Sequence, residues 1–157
     1  MTAQPISKPP LVHRPTGRAA FIVYAENLLA SDPTSFDKQK YVLFIASEKS
    51  VLLSEVREAR RWVEAGVGYM CAWGPASSEL DDLFDYATFL PELGTPLPFT
   101  LMTTWHDKEE LEEALWFAFY SATAPNDLEA ELKSVVILVD SPALAERCGT
   151  WVLENLQ

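Results

Sequence analysis

Tyr41-Val-Leu-Phe-Ile-Ala46 is an unbroken apolar run of residues that favour extended backbone. A polar break at Ser47-Glu48-Lys49 separates it from Leu52, Val56, Ala59 and Val63, which recur at helical spacing. A strand covered on both faces is apolar at every position, whereas a helix that covers it needs only one apolar stripe. The stretch therefore reads as a buried strand followed by an amphipathic helix. Ser50 is placed to cap this helix and Gly66 to end it in a left-handed conformation.

Working outward, the same alternation returns three more times. Val67-Gly-Tyr-Met-Cys-Ala72 reads as a second strand, and Ser78 to Leu90 as a helix with Leu80, Leu83, Phe84 and Ala87 on one face. Ser78 and Asp81 have capping-box spacing. The proline-rich connection Leu93 to Pro98 leads into a strand over Phe99-Thr-Leu-Met-Thr-Thr104, and Asp107 through Ala122 reads as the third helix. Ser134-Val-Val-Ile-Leu-Val139 is the last strand, and Ser141-Pro142 supplies a cap and a first-turn proline for a final helix to about Asn155.

Four strand-then-helix units imply parallel strands joined by right-handed crossovers. The expected architecture is a three-layer α/β sandwich, Rossmann-like or flavodoxin-like in the broad sense. Its mainly parallel sheet has four strands, or five if the short apolar segment Phe21 to Leu29 adds one. Strand order is not readable from the pattern. Asp32-Pro-Thr-Ser-Phe-Asp37 reads as a turn. Residues 1–18 hold four of the eleven prolines and no periodicity, so they read as an extended arm before a single domain over 19–157.

The chain has 157 residues, 48% of them hydrophobic, which suits one core. Its net charge is −11, and the excess is uneven: residues 1–40 carry +2 and residues 41–157 carry −13. A basic nucleic-acid binder is excluded, because neutralising phosphates needs Lys and Arg that are scarce here. No stretch approaches the roughly 18 apolar residues that cross a bilayer, and the N-terminus lacks the apolar core of a secretory signal. A cytoplasmic location without membrane partners is expected, with Cys71 and Cys148 as reduced, buried thiols.

Ligands of open parallel sheets bind beyond the carboxyl ends of the strands. Candidates there are Ser47, Glu48 and Lys49 after the first strand, Trp73 to Ser77 after the second, Thr103, Thr104, Trp105, His106 and Asp107 after the third, and Asp140 and Ser141 after the fourth. Trp73, Ser77, Thr103, Thr104, Trp105 and His106 form the expected ligand edge. Ser50, Ser78, Asp107 and Ser141 stand where helix caps are needed and have an explanation without a ligand. His106, Asp140 and Cys71 supply a base, an orienting acid and a nucleophile in type, although Cys71 lies two residues before Trp73, inside the strand rather than on an elbow.

Neither GxGxxG nor GxxxxGK[ST] occurs, since the six glycines are scattered. Acids at Glu79, Asp81, Asp82, Asp107, Glu109 and Glu110 in the expected first helical turns would repel a phosphate. Glu48, His106, Asp107 and Asp140 offer metal-ligand types without a compact pair on one strand, so neither a metal nor a cofactor is expected. In the third helix Leu111, Leu115, Ala118 and Ala122 fill one stripe, and Trp116, Phe117, Phe119 and Tyr120 must find cover elsewhere. That cover is either the N-terminal arm with Phe21 to Leu29, or another chain.

The expected function is a non-catalytic acidic interaction domain that binds a basic protein partner, of the bacterial accessory or immunity type, with the third-helix aromatics as a route to a homodimer. The alternative is a small enzyme or a small-molecule or metal-binding domain working at the carboxyl edge of the sheet.

Overall fold

A computed structural model describes residues 4–5, 11–13, 15–33, 40–125, 127–128 and 131–155. The rest of the expected arm, and residues 34–37 of the expected turn, lie outside the described residues. The elements in chain order are β1 (Gln4–Pro5), β2 (Leu11–His13), β3 (Arg18–Tyr24), β4 (Tyr41–Ala46), α1 (Val56–Ala65), β5 (Val67–Trp73), α2 (Ser77–Phe89), β6 (Met102–His106), α3 (Leu111–Tyr120), β7 (Ser134–Val139) and α4 (Pro142–Glu154).

Five strands form an all-parallel sheet in the order β3-β7-β4-β5-β6, and β1 and β2 pair antiparallel with the outer edge of β3. β4 and β7 are buried at every position, as their uninterrupted apolar sequences require. α1 and α2 cover one face around Trp62, Leu80 and Phe84. α3 and α4 cover the other around Leu115, Phe119 and Val152. The molecule is thus a three-layer α/β sandwich with the fifth strand present, spanning Arg18–Tyr24 rather than Phe21 to Leu29. Leu28–Ala30 instead makes a short 3-10 turn held under α1, where Trp62 Nε1 donates to the Leu29 carbonyl over 3.0 Å.

Several element boundaries differ from the sequence expectation, for identifiable reasons. α1 begins at Val56 because Glu55 and Glu58 form a reciprocal capping box, with Glu55 N donating to Glu58 Oε1 over 2.8 Å. Ser50 therefore caps nothing, and residues 50–55 are loop. α2 begins at Ser77 after Ala76 without a side-chain cap, so the Ser78 and Asp81 box does not form. β6 starts three residues later than expected, since Phe99 and Leu101 close the α1/α2 core instead of joining the sheet. α3 starts at Leu111 with Glu110 at its cap position, so Asp107 is not a cap. Ser141 and Pro142 open α4 as expected, with Leu144 N donating to Ser141 Oγ over 3.1 Å. Gly66 ends α1 at φ 146°.

Arg18 ties the start of β3 to α3: its guanidinium donates to the carbonyls of Ala118 and Ala122 at the C-terminal end of α3. A cation at that end also complements the helix dipole. Arg147 of α4 grips Glu112 of α3 with two parallel bonds of 2.8 and 2.6 Å.

Candidate functional site at the carboxyl edge

The carboxyl edge divides into two separate neighbourhoods, because the last strand of the chain inserts between β3 and β4. At the end of β7, the Asp140 side chain is 3% exposed; its Oδ2 accepts from the Ser47 hydroxyl at 2.7 Å and lies 3.7 Å from Lys49 Nζ. Ser47 Oγ also accepts from Lys49 N at 3.1 Å, so one hydroxyl ties the β4 loop to the β7 end. β4 sends its connection to the α1 face while β7 sends α4 to the opposite face. The loops after β3 and β4 are left as the walls of a crevice with Asp140 at its base. This is the point in an open α/β sheet where crossovers diverge and leave room for a ligand. The crevice measures about 230 Å³ and is lined by Glu26, Asn27 and Leu28 from one wall, and by Lys49 and Val51 to Ser54 from the other.

At the other end of the edge, His106 is buried and already satisfied. Its Nδ1 is 2.9 Å from Glu109 Oε1, its Nε2 is 3.1 Å from Thr104 Oγ1, and its ring packs on Phe117 at 4.9 Å between centroids. Trp73 Nε1 donates to the Glu109 carbonyl at 2.9 Å, which roofs the strand ends. Ser77 is fully buried at the first position of α2. Thr103, Thr104, Trp105 and His106 lie within β6, and Trp73 within β5, instead of beyond them. Thr103 Oγ1 donates to Asp85 Oδ1 of α2 at 2.9 Å.

His106, Asp140 and Cys71 do not meet. β6 and β7 are three strand spacings apart, about 14 Å at roughly 4.8 Å each. Cys71 is paired in register inside the sheet with Phe44 and Thr104. Burial pushes its thiol up to about 12, and that of Cys148 likewise. Neither is poised as a nucleophile. As a metal set, Asp140 is divided from His106 and Asp107 by the same three spacings, and Glu48, after β4, by two.

Gly74 shapes the edge in a way its sequence context did not disclose. It sits at φ 114°, its N–H donates to the His106 carbonyl at 3.2 Å, and a Cβ there would stand 1.9 Å from the Ser47 carbonyl oxygen. Only glycine lets the loops after β4, β5 and β6 approach this closely. Glu26, Asn27 and Leu53 were also missed; the available signal was the apolar Val51-Leu52-Leu53 triplet directly after a polar strand end.

The four aromatics of α3 divide evenly. Phe119 is buried against Trp151 of α4, and Phe117 is half-buried, packed on Tyr69 and His106. Trp116 and Tyr120 stand on the outer face, stacked at 4.9 Å. Among the described residues of the expected arm, Leu11–His13 pairs along β3.

A more continuous exposed surface runs along β6 and α2. Trp105 is 51% exposed, and strand alternation puts it on the same face as Thr103, toward α2. On α2, Asp82, Asp85 and Phe89 follow one another at helical spacing, and Phe89 contacts Tyr86 edge-on at 5.7 Å. Carboxylate oxygens of Asp81, Asp82 and Asp85 lie within 4.8 Å of one another. Burial, aided by the charges of Asp85 and Asp82 and opposed by a hydrogen bond from Thr103, holds the Asp81 carboxyl above the ordinary aspartate range.

The sheet order, the divided carboxyl edge and the helices on both faces define an open, doubly covered α/β domain. The chain belongs to the family described as a domain of unknown function, DUF7684, whose model matches residues 21–151. No curated protein and no solved structure matches the chain. Among the described residues no helix is long and apolar enough to cross a membrane.

Proposed function

We propose that this chain is a cytoplasmic, non-catalytic interaction domain that binds a basic protein segment along β6 and the adjoining face of α2. The observation that carries the reading is the interleaving of exposed rings and carboxylates on that surface: Trp105, Tyr86 and Phe89 beside Asp82 and Asp85. A guanidinium or ammonium can sit on such a ring while pairing with a neighbouring acid, which favours Arg-rich or Lys-rich partners over neutral ones. Among the described residues β6 pairs only with β5, and Met102 to His106 contains no Asp, Glu, Lys or Arg to repel an incoming extended segment. The net charge of −11 adds long-range attraction for a basic partner and disfavours a second copy.

The test is a photo-crosslinking amino acid placed at position 105 in the native host cell, with the adducts sequenced by mass spectrometry. The reading expects a basic segment of another protein, captured in amounts that fall when Asp82 and Asp85 are both changed to Lys. Adducts with a second copy alone, or yields unaffected by the double charge reversal, would overturn it.

A further inference from the structure

The crevice over Asp140 lies at the opposite end of the carboxyl edge from the β6/α2 surface. We infer that it binds a small organic ammonium ion with an aliphatic arm, the ammonium against Asp140 and Glu26 and the arm against Leu28, Leu52 and Leu53.

Four observations support this assignment. Asp140 is a nearly fully buried carboxylate at the base of an open crevice, and both its ion pair with Lys49 and its bond from Ser47 fall on Oδ2, which leaves acceptor capacity on a charged group. Two carboxylates and one ammonium line the crevice, so its charge favours a cation. Its volume of about 230 Å³ is below the range of drug-sized pockets and suits a metabolite of amino-acid size. Leu53 is 98% exposed and Val51 is also exposed on the wall loop, two apolar side chains that an aliphatic arm would cover.

The opposite wall is also unusual. Leu28 has φ 30°, the one non-glycine residue at positive φ among the described residues, although its side chain is buried. A leucine in that region is strained, and such outliers concentrate at ligand sites. Glu26 and Asn27, directly before the 3-10 turn that holds it, also line the crevice.

Two ligand sources share this chemistry, a free aliphatic amino acid and an aliphatic amine. Isothermal titration of the purified full-length chain with leucine, isopentylamine and isocaproate separates them. The inference expects leucine or isopentylamine to bind and isocaproate not to, since only isocaproate lacks the ammonium. Tighter binding of leucine assigns its carboxylate to Lys49, and equal binding of the two assigns the amine; both outcomes support the site. Glu26→Gln and Leu53→Ser, both at exposed positions, should each weaken binding by about tenfold, a loss of about 1.4 kcal/mol. Absence of binding by both ammonium compounds up to about 10 mM, equal binding of isocaproate, or unchanged affinity in both variants would overturn it. Because the β6/α2 surface is elsewhere, crosslinking at position 105 reports on the partner reading independently.

Discussion

The Ser47 hydroxyl donates to Asp140 Oδ2 across 2.7 Å, directly beyond the register pair Ala46 and Val139, and so closes the carboxyl end of the two central strands. The bond holds a carboxylate that is 3% exposed, and Lys49 at 3.7 Å is the cation beside it. Ser47→Ala leaves that carboxylate with poorer compensation, and a buried acceptor stripped of a partner costs about 1–3 kcal/mol. The expected result is a lower urea midpoint with an unchanged slope.

Gly74→Ala should be far more damaging than a one-carbon change suggests. The new Cβ would stand 1.9 Å from the Ser47 carbonyl, at a φ of 114° that L residues rarely adopt. Relief requires the β4 and β5 loops to separate, and a loss of roughly 3 kcal/mol or more is expected, in the range that backbone clashes in a packed site produce. Thermal unfolding of the variant checks this, with Gly17→Ala as the comparison, since a Cβ at Gly17 meets nothing within 4 Å at a similarly positive φ.

Asp81→Asn should stabilise the protein at neutral pH. Burial raises the native carboxyl above its ordinary range, so between the unfolded and native values the native state binds more protons than the unfolded chain. Stability from this group therefore falls as pH rises through that window, and the loss is complete above it. Denaturation midpoints of the two proteins should differ at pH 7 and converge in acid, below the ordinary aspartate range. A difference that persists in acid would contradict this origin.

On α3, Phe119→Ala and Trp116→Ala should separate cleanly. Phe119 is buried against Trp151, so truncation opens a cavity and costs about 3–5 kcal/mol. Trp116 stands outside, stacked on Tyr120, and its loss should cost under about 1 kcal/mol. Chemical denaturation of both variants measures the contrast.

Cys71 and Cys148 are both free and buried, with thiols pushed up to about 12. Neither should react with a thiol-specific disulfide reagent in the native protein at pH 8, while both react after unfolding. Rapid labelling of either in the native state would show that the core between the sheet and the α3/α4 layer opens more readily than its packing implies.

The amino-acid sequence by itself determined the layered α/β class, because continuous apolar runs such as Val135 to Val139 and striped segments such as those of α1 and α2 report burial on two faces or on one. It also determined the start of α4, where Ser141 and Pro142 act through local backbone chemistry. Other boundaries were not local. Phe99 and Leu101 are as apolar as strand residues, but the core over α1 and α2 claims them, and Ser50 was outcompeted as a cap by the Glu55 and Glu58 pair. Asp140, Lys49 and Trp105 were visible as residues at strand ends, without any indication of which would be neighbours. Only the tertiary structure decided that, by inserting β7 between β3 and β4: this placed Asp140 beside Ser47, separated it from His106, and opened the crevice between the loops after two strands that are consecutive in the chain. Periodicity records how each segment is covered, whereas strand order depends on contacts between segments, to which a pattern read along one chain is blind.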